Sequence, residues 1–206
     1  MCDINRTSRR KRLGATGPVV SCLQLPAHTL PVRPVTNAAQ QSDANKQCCT
    51  IQGEVTDDDV VWMAEPVVAA GADEAGLSDT TGMANPAQVK RLFTRVRSAI
   101  GNKTGAAHAH NTCGLGLANG LAAYENGVRI YDPSLGDLGG CPYAPGATGN
   151  VVNEELAFMF EAMGLRTGVD LGKVMSARQP LMAGLPGELI YGMTPSPGLS
   201  KGWDQH

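Results

Sequence analysis

The 206 residues suffice for one domain with a sizeable core, but fall short of the ~250 typical of a complete (β/α)8 barrel. The formal net charge of −2 is unevenly spread: residues 1–46 hold seven Lys/Arg against two Asp, the rest ten against seventeen acidic residues. The acidic part is therefore no nucleic-acid binder, and with no run of about 18 apolar residues no helix is expected to cross a membrane.

Six cysteines (Cys2, Cys22, Cys48, Cys49, Cys113, Cys141) show no paired metal-site spacing and no secretory context, so free thiols in a reducing, cytoplasmic compartment are expected. Adjacent Cys48 and Cys49, lacking a second pair, do not make a zinc site. Residues 1–46 combine the basic cluster N-R-T-S-R-R-K-R-L, a proline-rich stretch and a polar run without period; they read as a disordered or non-homologous leader. The Arg-rich, acid-poor opening also resembles a transit peptide, which makes the mitochondrial matrix the alternative location.

From residue 47 onward the chain is orderly. Thr56 before Asp57-Asp58-Asp59 is a helix start, and the apolar face from Val60 to Val68 carries that helix to Gly71, with Pro66 inside it. Glu74–Asp79 reads as a short buried strand ending in the turn Thr80-Thr81-Gly82. Asn85-Pro86 opens a second helix, with Val89, Leu92, Phe93, Val96 and Ile100 at helical spacing. A strand carrying His108 and His110 follows, then a helix over about Leu117–Asn126 and a strand over Val128–Asp132. One helix begins at Asn153-Glu154-Glu155 and another near Asp170; the Gly/Pro-rich tail from Pro186 to His206 is expected to pack as an extended segment. Strands alternating with helices of ten to sixteen residues predict an α/β fold with a parallel sheet.

In that arrangement the polar residues Asp79, Thr80, His108, His110, Asp132, Cys141 and Asn150 fall at or after strand C-termini, the face where such sheets carry their sites. His108 and His110, two apart in a strand, share one face and can present both imidazoles to a divalent metal. Cys141 lies in the loop L-G-G-C-P-Y-A-P-G-A-T-G-N, rich in glycine and proline, where a cysteine beside paired histidines is a candidate for acid/base or nucleophilic work.

The run A-H-A-H-N-T-C-G-L-G-L-A-N together with G-G-C-P-Y-A-P-G-A-T-G-N resembles the hydroxymethylglutaryl-CoA lyases, metal-dependent TIM-barrel enzymes, over about Cys48 to Trp203. The resemblance implies a partial barrel comprising roughly the last four β/α units. It implies Mg2+ or Mn2+ held by His108, His110 and Asn150, with Cys141 as the mobile acid/base group, His108 in proton transfer, Asp79 supporting catalysis and Thr80 beside an acyl-CoA substrate. The implied reaction is retro-Claisen cleavage of 3-hydroxy-3-methylglutaryl-CoA to acetoacetate and acetyl-CoA; a longer branched 3-hydroxyglutaryl-CoA is the neighbouring substrate, and a non-catalytic truncated barrel is the alternative from another class. The family's first-strand R-D-G-x-Q element, source of an enolate-binding arginine and an aspartate ligand, does not occur in this chain. A half barrel would expose two unpaired strand edges and apolar side chains, which a homodimer could cover.

Overall fold

The structure, a computed structural model, describes residues 55–140 and 146–203, together with two short strand segments, β1 (Leu23–Gln24) and β2 (Ser42–Asp43). Cys48, Cys49, Cys141 and the remainder of the 1–46 stretch lie outside the described residues. The elements that follow are α1 (Asp57–Ala69), β3 (Ala75–Asp79), α2 (Pro86–Ile100), β4 (Thr104–Ala109), α3 (Gly116–Glu125), β5 (Ile130–Tyr131), α4 (Asn153–Ala162) and α5 (Leu171–Gly184).

Local chemistry places most helix starts. The Thr56 hydroxyl accepts from Asp59 N at 3.2 Å while the Asp59 carboxylate accepts from Thr56 N at 3.3 Å, a closed capping box at the head of α1. Asn85 caps α2 by accepting from Gln88 N at 3.1 Å, with Pro86 at the first helical position. Asp170 caps α5 through Lys173 N at 3.0 Å.

The sheet runs β1-β5-β4-β3-β2; β2, β3, β4 and β5 are mutually parallel and β1 is antiparallel to β5. A β3–β4–β5 sheet with α1, α2, α3 and α4 around it is the α/β arrangement that the strand–helix order requires. Between β5 and α4 the returning chain makes two isolated bridges, Ser134 to Val152 and His110 to Asn150. The edges differ from the expectation of two bare strands: β3 pairs with Ser42–Asp43, and β5 with Leu23–Gln24. Exposed apolar side chains do occur, and several cluster at the end of the chain, where Leu189, Tyr191 and Met193 face solvent.

The core lies between the sheet and its helices. Leu77, Ala107 and Tyr131 occupy one face of three adjacent strands and meet Leu92, Phe93 and Val96 of α2 and Leu156 and Phe160 of α4. Phe160 is fully buried and touches the rings of Tyr131 and Tyr124 at centroid distances of 5.2 and 5.6 Å; burying a side chain of this size stabilises by about 3 kcal/mol. The Tyr131 hydroxyl donates to Gly120 O at 3.1 Å, and burial pushes its ionisation well above the ordinary tyrosine range. The tail, rather than running free, docks on this body: Trp203 stacks on Phe158 at 5.0 Å, and Tyr191 N donates to Gly136 O at 2.9 Å.

One residue sits against its backbone preference. Asp137, in the 3-10 turn Leu135–Asp137, is the single non-glycine with positive φ (68°) among the described residues. Burial, with Glu155 nearby, raises its carboxyl pKa, against a lowering contribution from the Gly149 N–H. A carboxyl raised above its unfolded value gives its stability at acid pH and loses it as pH rises through the folded value. Asp137→Gly is therefore expected to stabilise the fold by about 1 kcal/mol at neutral pH by relieving the left-handed backbone. The gain should shrink in urea titrations repeated at acid pH; a loss of stability at neutral pH would show that the Asp137 side chain is needed where it stands.

Candidate metal centre

Strand alternation sorts the candidate residues into two sets. Ser78 pairs with His108 and Asp79 with Ala109, so Ser78 and His108 share one face while Leu77 and Asp79 share the helix-facing side. The contacts agree. His108 Nε2 lies 3.1 Å from His110 Nε2, His108 Nδ1 lies 2.9 Å from Asp132 Oδ1, and the Thr80 hydroxyl lies 3.1 Å from the Ser78 hydroxyl. Asp79 instead turns both carboxylate oxygens to the backbone, accepting from Met83 N at 3.1 Å and Ala84 N at 3.0 Å. It shapes the turn leading into α2, and these contacts give it a structural function near the site.

His110 is almost fully buried (3% exposed), and its Nδ1 is 3.0 Å from the carbonyl of Thr148. A carbonyl only accepts, so Nδ1 carries the proton and Nε2 of the neutral ring bears a lone pair. The negative charge of the Asp132 carboxylate, 2.9 Å from His108 Nδ1, favours the same tautomer there. The approach there is oblique, since the N–H does not point straight at the oxygen, yet neither Nδ1 nor Oδ1 has a hydrogen-bond partner elsewhere. Two lone-pair nitrogens 3.1 Å apart repel unless a positive charge lies between or before them. Two ligand atoms in cis positions about 2.1 Å from an octahedral ion are separated by about 3.0 Å, so the spacing fits a divalent metal of this size.

Asn150 supplies the third donor. It forms the bridge with His110, and its buried Oδ1 has no hydrogen-bond partner. No cluster of three or more His, Cys, Asp or Glu able to hold a metal occurs among the described residues; the donor set here is two imidazoles and an amide oxygen. Such neutral donors fit Mg2+ or Mn2+ without supplying the negative charge that would bind it tightly.

The loop that carries Asn150 returns to the histidine strand along a short zipper. Val151 N donates to Ala109 O at 2.8 Å, Asn111 N to Gly149 O at 3.4 Å, and Thr148 N to the Thr112 hydroxyl at 3.1 Å. Thr112 is in turn packed against Gly82, whose φ is 66° and where a Cβ would lie 2.5 Å from Thr112 Oγ1 and 2.7 Å from its backbone nitrogen. Gly82→Ala is expected to cost about 2–3 kcal/mol through the backbone clash and to loosen Thr148, the residue that orients His110. A thermal melt unchanged from the parent would refute this.

The structure thus brings the His108 and His110 rings together, pairs Asn150 with His110 through a backbone bridge, sets Thr80 on the sheet face of His108, and turns Asp79 to the other face. Cys141 lies outside the described residues. Two contributors had no role assigned from sequence: Asp132, legible only as an acidic residue at a strand end, and the Thr148 carbonyl, for which a sequence carries no signal at all.

Comparison with known proteins identifies the family. The HMGL-like family model matches residues 29–181, about three quarters of the chain. The (R)-citramalyl-CoA lyase of Chloroflexus aurantiacus is 42% identical over 137 residues, which is 66% of this chain and 43% of that protein. The cytoplasmic 3-hydroxy-3-methylglutaryl-CoA lyase of Mus musculus is 41% identical over 129 residues, covering 63% of this chain and 38% of that protein. Among solved structures, hydroxymethylglutaryl-CoA lyase from Pseudomonas aeruginosa superposes with a TM-score of 0.67 at 34% identity, over 72% of this chain and 49% of that one. The chain therefore spans less than half the length of these relatives. With that family model matched over about three quarters of its length, this chain belongs to the HMGL-like family.

Proposed function

We propose that this chain carries the metal-binding half of a carbon–carbon lyase acting on a 3-hydroxy-3-methylglutaryl-CoA-like thioester, releasing acetoacetate and acetyl-CoA. The observation that carries the reading is the pair of Nε2 atoms 3.1 Å apart, each ring facing an acceptor oxygen at its other nitrogen. His108, His110 and Asn150 would hold Mg2+ or Mn2+. The bound ion supplies Lewis acidity toward the substrate oxygens. Thr80, on the sheet face of His108, would lie beside the substrate, and Asp79 would support catalysis by fixing the turn above β3. With His108 Nδ1 held by Asp132 and Nε2 facing the ion, the ring has no basic nitrogen left for its second implied role. We assign the proton of the substrate hydroxyl to Cys141 and keep His108 as a ligand. The name of the mouse relative places that protein in the cytoplasm, the location we propose first for this chain.

A non-catalytic reading is the alternative, favoured by the absence of an R-D-G sequence from these 206 residues. Cleavage of hydroxymethylglutaryl-CoA by the 206-residue chain, with and without Mg2+ or Mn2+ and beside Cys141→Ala, separates the two. Metal-dependent turnover that the variant lacks establishes the lyase. Folded protein that binds the ion and turns nothing over establishes the metal-retaining fragment. Turnover of a longer branched 3-hydroxyglutaryl-CoA in preference would shift the substrate.

A further inference from the structure

We infer that Asp132 is a positioning residue: it fixes the tautomer and the plane of the His108 imidazole so that Nε2 meets the ion bare. The inference rests on the metal reading of the histidine pair proposed above. Asp132 directly follows β5, and His108 lies on β4, the neighbouring parallel strand. The two side chains thus come from adjacent strand ends on one sheet face, where a carboxylate reaches the imidazole edge that points away from His110. Asp132 Oδ1 and His108 Nδ1 stand 2.9 Å apart in an oblique charge contact, and both atoms are buried with no hydrogen-bond partner. For two such atoms, satisfying one another is the only alternative to a buried unpaired polar group.

The two histidines reach the same tautomer by different means. His110 is held by a main-chain carbonyl, which cannot be mutated away and cannot donate. His108 faces a carboxylate, and without it no acceptor at Nδ1 keeps the proton from moving to Nε2. An Nε2–H on His108 would point at the lone pair of His110 Nε2, 3.1 Å away, and close the pair into a hydrogen bond. That closed pair is a satisfied, metal-free state competing directly with ion binding. Asp132 therefore works against the competitor as well as for the ligand geometry. Outer partners of this kind change metal affinity by about 10–100-fold.

The experiment combines two readouts on the full chain, neither of them lyase activity. Imidazole 15N–1H correlation spectra of the metal-free protein, taken about two units above the ordinary imidazole pKa, report the tautomer of each ring. Titration with Mn2+ followed by electron paramagnetic resonance reports affinity. In the parent, His108 and His110 should both be Nδ1–H. In Asp132→Asn, which preserves shape, and in Asp132→Ala, His108 should shift toward Nε2–H while His110 stays Nδ1–H, the latter serving as the control for an intact fold. Mn2+ affinity should fall about 10–100-fold. His108 remaining Nδ1–H in both variants, or already Nε2–H in the parent, overturns the inference. A parent that binds no Mn2+ sinks the metal reading of the site instead; the spectra then still decide Asp132, a tautomer shift supporting its positioning role and an unshifted spectrum overturning it.

Discussion

Replacing Arg178 with alanine is expected to remove about 3–5 kcal/mol of folding stability, the cost of stranding a buried carboxylate. Glu154, the second residue of α4, is fully buried, and its carboxylate pairs with the Arg178 guanidinium from α5. Its other oxygen accepts from Gly136 N at 3.3 Å, and Arg178 Nη2 donates to Ile190 O at 3.4 Å. One ion pair thus joins α4, α5, the turn before the glycine-rich loop and the docked tail. Removing the arginine leaves the negative charge with a single amide donor in a space closed to water. Replacing both partners by apolar residues of similar volume, Glu154→Leu with Arg178→Met, should restore most of the loss, because the pair's desolvation cost disappears with it. Urea unfolding of the four proteins in a double-mutant cycle gives the coupling directly. A loss below about 1 kcal/mol for Arg178→Ala, the value of a solvated surface pair, would show that water reaches Glu154.

His110→Ala is the substitution expected to do most damage to ion binding. It deletes one of the two converging Nε2 atoms and leaves the Thr148 carbonyl without its ring donor. Since the loss of an outer partner alone costs about 10–100-fold, loss of the ligand should weaken Mn2+ binding by more than about a hundredfold and abolish any metal-dependent cleavage. Stability should change far less, by about 1–2 kcal/mol for the unpaired carbonyl. Amide exchange should accelerate from Thr148 to Val151, the segment zipped to the histidine strand. Mn2+ binding within a few-fold of the parent would exclude the histidine pair as the metal centre.

Much of the fold could be read from the chain because its signals are local. Thr56, Asn85 and Asp170 announced three helix starts, and each side chain caps its helix in the structure. Glu74–Asp79 and Val128–Asp132 were legible as strands, and Ala75–Asp79 and Ile130–Tyr131 form within them. His108 and His110 were legible as a pair because residues two apart in a strand must share a face, and the bridge from His110 to Asn150 joins the third donor to them.

The same alternation, carried one residue along β3, separates Asp79 from that face, a consequence that depends on register with β4 and so on the packed sheet. Asp132 stands 24 positions from His108 and Thr148 38 from His110; their contacts exist only because β4 and β5 lie side by side and the loop folds back onto Ala109. Likewise, the pairing of Glu154 with Arg178 joins two helices whose separate patterns gave no hint of each other. Caps, periods and the two-residue spacing are written in neighbouring side chains, so the sequence by itself determined the elements and the histidine pair. Which nitrogen of each ring is free for a metal depends on what sits at its far edge, and only the tertiary structure decides that, by bringing together groups that the chain keeps far apart.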